Sequence, residues 1–345
     1  MINGARGKRG SVRPTMVQVA ALAEVSIFTV SAVVNGTSPV SDVLRARVEA
    51  AIRQSGYRPS ALARSLRTGQ THTVGLSIGD ITNPFYTDVV ARVQRDLHAA
   101  GYAVMLCCNE RDVTLQDEQI ALMRAREVDG LIVSPTGQDA RLRQALEGFG
   151  APVVLIDRVL DGFDADAVLL DNHKAVGDAV AHLADLGHRR IGLVSGMPES
   201  FTGAERLAGY HEAMARAGLP ADPELVQYGN FRTADAVAAA QRLMALASPP
   251  TALIAANNLS AIGTMKGLNA LGLACPADVS LAAIDDFPWA DVFEPKLTAV
   301  AQPVDAFGAE AARMLVERMT GAVQGRGRTV RLQGDLHVRT SSRRI

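Results

Sequence analysis

Cysteine is scarce. Three residues in 345, the neighbours Cys107 and Cys108 and the distant Cys275, provide no disulfide framework. Two adjacent cysteines in an apolar run are expected as core thiols of a reducing compartment, not as metal ligands. Nor does any apolar run approach the ~18 residues of a membrane span. The opening stretch MINGARGKRGSVRPTM is basic with no apolar segment behind it. It is therefore expected as a flexible arm over residues 1–14, neither a secretory signal nor a buried element. Catalytic signatures are missing as well: no G-x-G-x-x-G, no P-loop and no H-E-x-x-H. GLVSG at 192–196 has the spacing G-x-x-S-G, which is not a nucleophile elbow. His182 and His188 stand six apart near a helix end and are expected as surface or capping residues. Asp285 and Asp286 are adjacent on a strand and should point opposite ways, so they do not form a catalytic pair. No catalytic residue, no metal and no cofactor is predicted.

The net charge of −1 conceals an uneven distribution. Residues 1–70 hold ten Arg/Lys against the acids Glu24, Asp42 and Glu49, a balance of +7, which leaves −8 for the remainder. A basic head on an acidic body suggests a polyanion partner. Residues 15–56 read as three short helices. Thr15 can cap MVQVAALAE, Ser26 can cap IFTVSAVVN before Gly36, and Ser41 can cap DVLRARVEAAIRQS before Gly56. Each carries an apolar stripe at helical spacing, with Val30, Val33 and Val34 as the inner face of the second. The tight connection at Glu24-Val25 predicts a helix-turn-helix. Arg58-Pro59 breaks the third helix. Ser60 to Thr68-Gly69 is then expected to form a short hinge helix, too short to be stable alone.

From Thr73 the texture changes. Short apolar runs (VGLSIG, AVMLCCN, GLIVSP, PVVLID, AVLLDN, RIGLVSG, ALIAAN, SLAAIDD, LTAVAQP) alternate with amphipathic stretches. This is the pattern of buried parallel strands in doubly wound α/β architecture, with too many strands for one sheet. Ligands of such folds sit at the carboxyl ends of the strands. Phe85 and Tyr86, Asp157, Asn257 and Asp285 all fall at such ends. If those ends converge, aromatics for apolar faces and acids or amides for hydroxyls make a small-molecule site.

The stretches TMVQVAALAEVSIFTVSAVVNG, YRPSALARSLRTGQTHTVGLSIGDITNPFY, DNHKAVGDAVAHLADLGHRRIGLVSG and PADVSLAAIDDFPWADVFEPKLTAVAQP, among others, resemble the lactose-repressor (LacI/GalR) family of transcription regulators over essentially the whole chain. The resemblance implies an all-α helix-turn-helix DNA-binding head with a hinge helix. An α/β two-lobed core like a type I periplasmic binding protein follows, built of doubly wound parallel sheets. It implies domains at 15–59 (head), 60–70 (hinge) and 71–345 (core). The core lobes would be 71–172 plus 303–328, and 173–302 plus 329–345. Implied partners are a pseudopalindromic duplex operator, a second copy of the chain and a small-molecule effector between the lobes. No membrane is implied. Leu66 is the implied minor-groove wedge, an apolar side chain that would unstack and kink the duplex.

The implied DNA-binding set is Thr15, Ser26, Ile27, Phe28, Thr29, Ser31, Ala32, Asn35, Tyr57, Arg64 and Leu66. The implied effector set is Phe85, Tyr86, Asp157, Arg158, Ser200, Thr202, Phe231, Asn257 and Asp285. Departures from the family pattern are informative. Gln18 replaces an early Asp, and Glu24 replaces Gly or Asn at the turn. Ala32 replaces an Arg able to read a guanine edge. Ala204 and Ser200 stand where relatives carry an Arg that holds hydroxyls or an anion. Arg158 or Arg206 could compensate, Arg206 alternatively serving structure. A small, neutral, polyhydroxylated ligand is therefore expected, with a nucleobase or no effector at all as the alternatives. Ile27, Phe28 and Ala32 are expected to face outward and read thymine methyls. A solute-binding protein for transport is the alternative function, although no export signal is visible; an enzyme on this fold is a distant third.

Overall fold

The computed structural model describes residues 14–58, 65, 68–292 and 294–345. The chain divides into two compact units, residues 1–71 and 72–345. The arm as far as residue 13, most of the hinge helix, Arg64 and Leu66 lie outside the described residues.

In the first unit, capping residues set where helices start. Helix α1 (Met16–Ala23) opens with a reciprocal box: Thr15 Oγ1 accepts from Gln18 N at 3.4 Å, and Gln18 Oε1 accepts from Thr15 N at 2.9 Å. Gln18 thus has a structural use. Helix α2 (Ile27–Asn35) is capped by Ser26, whose Oγ accepts from Thr29 N at 3.1 Å, and it ends at Gly36 with φ 64°. Helix α3 (Asp42–Ser55) has Ser41 at its cap position, but that side chain makes no capping bond. The break between α1 and α2 bends the chain by 106°, within the helix-turn-helix range. Its pivot is Glu24 at φ 50°, ψ 47°, left-handed backbone that favours glycine. Arg47 Nη2 reaches the Glu24 carboxylate at 2.9 Å, which offsets its charge. Val19, Ala20, Ala23, Val30, Val48, Ala51 and Tyr57 form the small core.

The second unit alternates strands and helices: β1 (Thr73–Ile78), α4 (Pro84–Ala99), β2 (Ala103–Cys108), α5 (Val113–Ala125), β3 (Gly130–Val133), α6 (Ala140–Glu147), β4 (Val153–Ile156) and β5 (Asp166–Leu170). Next come α7 (Asn172–Asp185), β6 (Ile191–Ser195), α8 (Phe201–Arg216), β7 (Val226–Tyr228), α9 (Thr233–Met244), β8 (Ala252–Ala255), α10 (Asn258–Ala270), β9 (Ser280–Ile284) and β10 (Thr298–Ala301). The chain closes with α11 (Val304–Met319), β11 (Thr329–Leu332) and β12 (Asp335–His337). Two six-stranded sheets result, ordered β11-β5-β4-β3-β1-β2 and β12-β10-β9-β8-β6-β7. Their pairings are parallel except for β10 with β12.

Side chains alternate across each sheet. In the first, Leu131, Val133, Leu155 and Leu169 pack with Ile120 and Met123 of α5 and Leu142 of α6. Their neighbours Ile132, Val154, Ile156 and Val168 pack with α4 and α11 on the other face. The second sheet repeats this with α9 and α10 on one face and α7 and α8 on the other. The lobes are joined near Asp171, Gln302-Pro303 and Gly334. Strand β11 pairs with β5 (Thr329↔Ala167 to Leu332↔Leu170), so residues 329–332 belong to the first lobe, against the expectation that placed them in the second. No single helix among the described residues is long and apolar enough to cross a membrane.

Candidate functional site

Two places call for a functional account, one in each unit. In the head, the start of α2 exposes apolar side chains: Phe28 is 73% exposed and Ile27 50%. Thr29 and Ser31 are partly covered, and Asn35 Nδ2 donates back to Ser31 O at 2.8 Å. Ala32 does not face outward as expected; it is buried, 3% exposed. Its side chain ends at Cβ, below the reach of longer neighbours one turn away. Tyr57 is likewise a core residue of the head. Val33 and Val34, expected inside, are only partly buried against that core.

In the second unit the strand ends of both sheets converge. Asp157 directly follows β4 and Asp285 directly follows β9, strands that hold equivalent places in the two sheets. Both acids take left-handed backbone, φ 65° and 72°, a conformation tolerated by Asp better than by most residues. That turn marks both ends as special sites. Tyr86 OH donates to Asp157 Oδ2 at 2.7 Å and lies 2.9 Å from Ser134 Oγ. Burial, reinforced by the Asp157 charge, raises the Tyr86 pKa, so the phenol stays protonated and can donate. Arg158 Nε lies 3.3 Å from the same carboxylate without the alignment of a hydrogen bond, leaving that donor unpartnered. Across the cleft, Gln302 Nε2 donates to Asp285 Oδ1, while Gln302 Oε1 has no partner. Burial pushes the Asp285 carboxyl up, against the pull of Arg206, whose Nη2 lies 3.8 Å away. Arg206 also donates from Nε to Asn172 Oδ1 at 2.8 Å and from Nη1 to Ala256 O. Its guanidinium lies 5.9 Å from the centre of the Phe231 ring. Gly196 makes room for that ring: a Cβ there would come within 2.0 Å of Phe231.

Asn83, Phe85, Tyr86, Arg111, Asp157, Arg158, Thr202, Arg206, Phe231, Asn257, Asp285 and Gln302 enclose an inner cavity of about 20 Å³. Eight of the nine expected effector residues are therefore brought together. Ser200 is not among them. It caps α8, accepting from Gly203 N at 3.1 Å and donating to Met197 O at 2.8 Å, so its hydroxyl is spent locally. Sequence reasoning missed Asn83, Arg111 and Gln302 and left Arg206 undecided. Asn83 caps α4 through Phe85 N and accepts from Asn258 Nδ2 of the other lobe at 3.0 Å. Its place in NPF, directly ahead of the aromatic pair, was the available signal. His188, expected at the surface, is 1% exposed inside the second lobe. Asp286 lies apart from Asp285 and pairs with Arg339 at 2.6 Å, but both residues lie beyond β9, so the separation comes from the left-handed turn at Asp285 and not from strand alternation. Among the described residues, no three His, Cys, Asp or Glu are grouped to hold a metal.

Residues 15–60 match the family of bacterial regulatory proteins of the lacI type, and residues 180–342 match the periplasmic binding protein-like domain. CelR of Thermobifida fusca is 36% identical over 337 residues, 95% of this chain and 98% of that protein. The chain belongs to the lacI family of bacterial regulatory proteins. A solved complex of CelR with cellobiose is 34% identical, covers 96% of the chain and 100% of its own, and superposes with a TM-score of 0.74. The ribose operon repressor of Escherichia coli K12 is 35% identical over 308 residues, 89% of this chain and 93% of that protein. The lac repressor dimer bound to operator and the anti-inducer ONPF, 26% identical, covers 96% of the chain and 100% of its own with a TM-score of 0.85. This lacI-family regulator therefore joins a helix-turn-helix head to a two-sheet, mostly parallel periplasmic-binding-protein-like core.

Proposed function

We propose that this regulator is a homodimeric repressor whose affinity for a pseudopalindromic operator is set by a small neutral sugar held between the core lobes. The observation that carries the ligand reading is the chemistry of the inner cavity. Donors and acceptors both line it, three aromatic side chains face it, Gln302 Oε1 lacks a hydrogen-bond partner, and Arg158 Nε meets Asp157 without an aligned hydrogen bond. Such atoms cost free energy unless something polar meets them. Asp157, Asp285 and Asn257 would take hydroxyls, Arg158 and Arg206 would donate, and Phe85, Tyr86 and Phe231 would cover ring faces. Thr202 would add one hydroxyl contact. A cavity of about 20 Å³ holds little more than a water, so entry requires the lobes to part. The ligand then selects a lobe angle, and the DNA-binding population shifts with it.

In the head, α2 would lie in the major groove. Ser26 and Thr15 would approach phosphates, Thr29, Ser31 and Asn35 would contact backbone or base edges, and Ile27 and Phe28 would meet thymine methyls. By the family pattern Arg64 and Leu66 would act in the minor groove. The protein would work by binding without turnover, in the cytoplasm. Support for the regulator over a transport protein is the lacI match across residues 15–60.

The test is operator selection from random duplex, followed by calorimetry and DNA-binding titrations with D-ribose and other single-ring sugars. Asp285→Ala should remove the sugar response and leave operator affinity intact. A selected motif with no half-site symmetry would reject the dimeric operator reading. An unchanged sugar response in that variant would take Asp285 out of the site.

A further inference from the structure

One side chain spans the cleft between its inner and outer parts. Arg111, from the loop after β2 in the first lobe, donates from Nη1 to Phe231 O at 2.9 Å and to Asn230 O at 3.3 Å in the second lobe. Both anchors are held in place. On the Arg111 side, Asn109 is fully buried; its Oδ1 accepts from Arg111 N at 2.9 Å and from Thr136 Oγ1 at 2.8 Å. On the far side, Asn230 Nδ2 donates to Asp235 at 3.1 Å. Glu110, Arg111, Asn230 and Phe231 all take positive φ, between 51° and 65°, a backbone region that L-residues enter only when the surroundings demand it. Arg111 and Phe231 line the inner cavity of about 20 Å³ on one side and an outer chamber of about 470 Å³ on the other. Asp80, Thr82, Glu110 and Arg232 supply polar groups to that outer chamber, while Ile81 and Leu259 supply apolar ones. The outer chamber falls within the size range of small-molecule sites. Arg111 and Phe231 are the residues the two chambers share, so the bridge stands at their boundary.

We infer that Arg111 is a specificity-determining gate that restricts the site to a single sugar ring. When the lobes close, the guanidinium occupies the line along which a second ring would leave the inner cavity. Loss of the side chain joins the chambers and gives a two-ring ligand somewhere to go. The inference rests on the proposed sugar site, and it concerns ligand length.

The experiment is isothermal calorimetry on the full chain with D-ribose, D-glucose and cellobiose, for wild type, Arg111→Ala and Arg111→Met. Thermal melts of each protein confirm that it is folded. Wild type should favour the better single-ring sugar over cellobiose. In Arg111→Ala that preference should fall at least about tenfold, the scale on which pocket size discriminates. Arg111→Met keeps the length without the donors and should fall between. An unchanged ratio, with single-ring binding intact or weakened equally for all sugars, would overturn the gate and leave the sugar site standing. Equal affinity of wild type for one and two rings would overturn it too. Binding of none of the three sugars by any of the proteins would reject both the site and the gate.

Discussion

Acidification should weaken the second lobe through His188, and the size of the effect can be worked from its surroundings. The ring is 1% exposed. Its Nε2 lies 3.1 Å from Arg343 O and 3.1 Å from Ser280 Oγ, and its Nδ1 lies 2.8 Å from Thr251 Oγ1. A carbonyl can only accept, so the neutral tautomer with the proton on Nε2 satisfies both ring nitrogens. Burial lowers the His188 pKa. The unfolded chain keeps the ordinary value near 6.5, so below that pH the unfolded state takes up the proton first. Stability from the neutral ring is fully present above pH 6.5 and is lost as pH falls toward the depressed native value. The loss between pH 7.5 and pH 5.5 has a ceiling of about 1.4 kcal/mol, set by the unfolded value and reached where the native ring stays neutral throughout. For a unit of this size that corresponds to about 3 °C in melting temperature. His182, bonded to Ser342 Oγ at 2.8 Å, is lowered by burial as well and acts in the same direction. Asp285, raised by burial, acts oppositely, so the measurement must be a difference. Urea or thermal unfolding of wild type and His188→Asn at both pH values isolates the histidine. The gap between the two proteins should narrow on acidification, by no more than about 1.4 kcal/mol. A gap that is the same at pH 7.5 and 5.5 would refute the argument.

Phe28→Ala should leave head stability within about 0.5 kcal/mol, since the ring is exposed, yet change base preference at an outer position of the selected operator; an identical motif would make Phe28 a mere surface residue. Glu24→Gly removes a left-handed strain worth about 1 kcal/mol and an exposed ion pair worth less, so amide exchange in α1 and α2 should slow. Arg47→Ala, which breaks only the ion pair, should not reproduce that slowing. Asp166 is 1% exposed between Arg318 and Arg328, each at 2.7 Å, which together hold its carboxyl well below the usual range despite burial. Asp166→Ala leaves Arg318 without a carboxylate, although Arg328 keeps Glu317 at 2.9 Å, and should cost about 2 kcal/mol in denaturant unfolding; a loss under about 0.5 kcal/mol would show that the cations find water.

Much of the architecture is readable from periodicity, because buried parallel strands are apolar on both faces and carry their own punctuation. Asp157 and Asp285 were readable for the same reason: each ends an apolar run, and strand ends are where this architecture converges. The misreadings have physical causes. Ala32 was placed outward by helical phase, but phase gives a direction and not a depth. Ser200 sat in a promising stretch, yet a serine ahead of a helix is claimed first by its own backbone. Arg111 and Gln302 lie on a loop and a crossing, where nothing periodic marks them. His188 follows a helix end in sequence, yet Thr251, Ser280 and the returning C-terminal segment enclose it. Strand β11 could not be assigned to a lobe from sequence, since pairing with β5 is a contact across more than 150 residues.

The three crossings between the lobes have a consequence for how the protein is made. The first lobe takes α11 and β11 from the stretch 304–332, which follows nearly the whole of the second lobe in sequence. During synthesis, therefore, the first lobe stays without one edge strand and one packing helix until almost all of the chain has emerged. Its apolar face beneath α11 is open for that entire interval. At typical elongation rates the second lobe needs about ten seconds or more to emerge, time in which β5 remains an unpaired edge. The lobes cannot mature one after the other; each waits for the other.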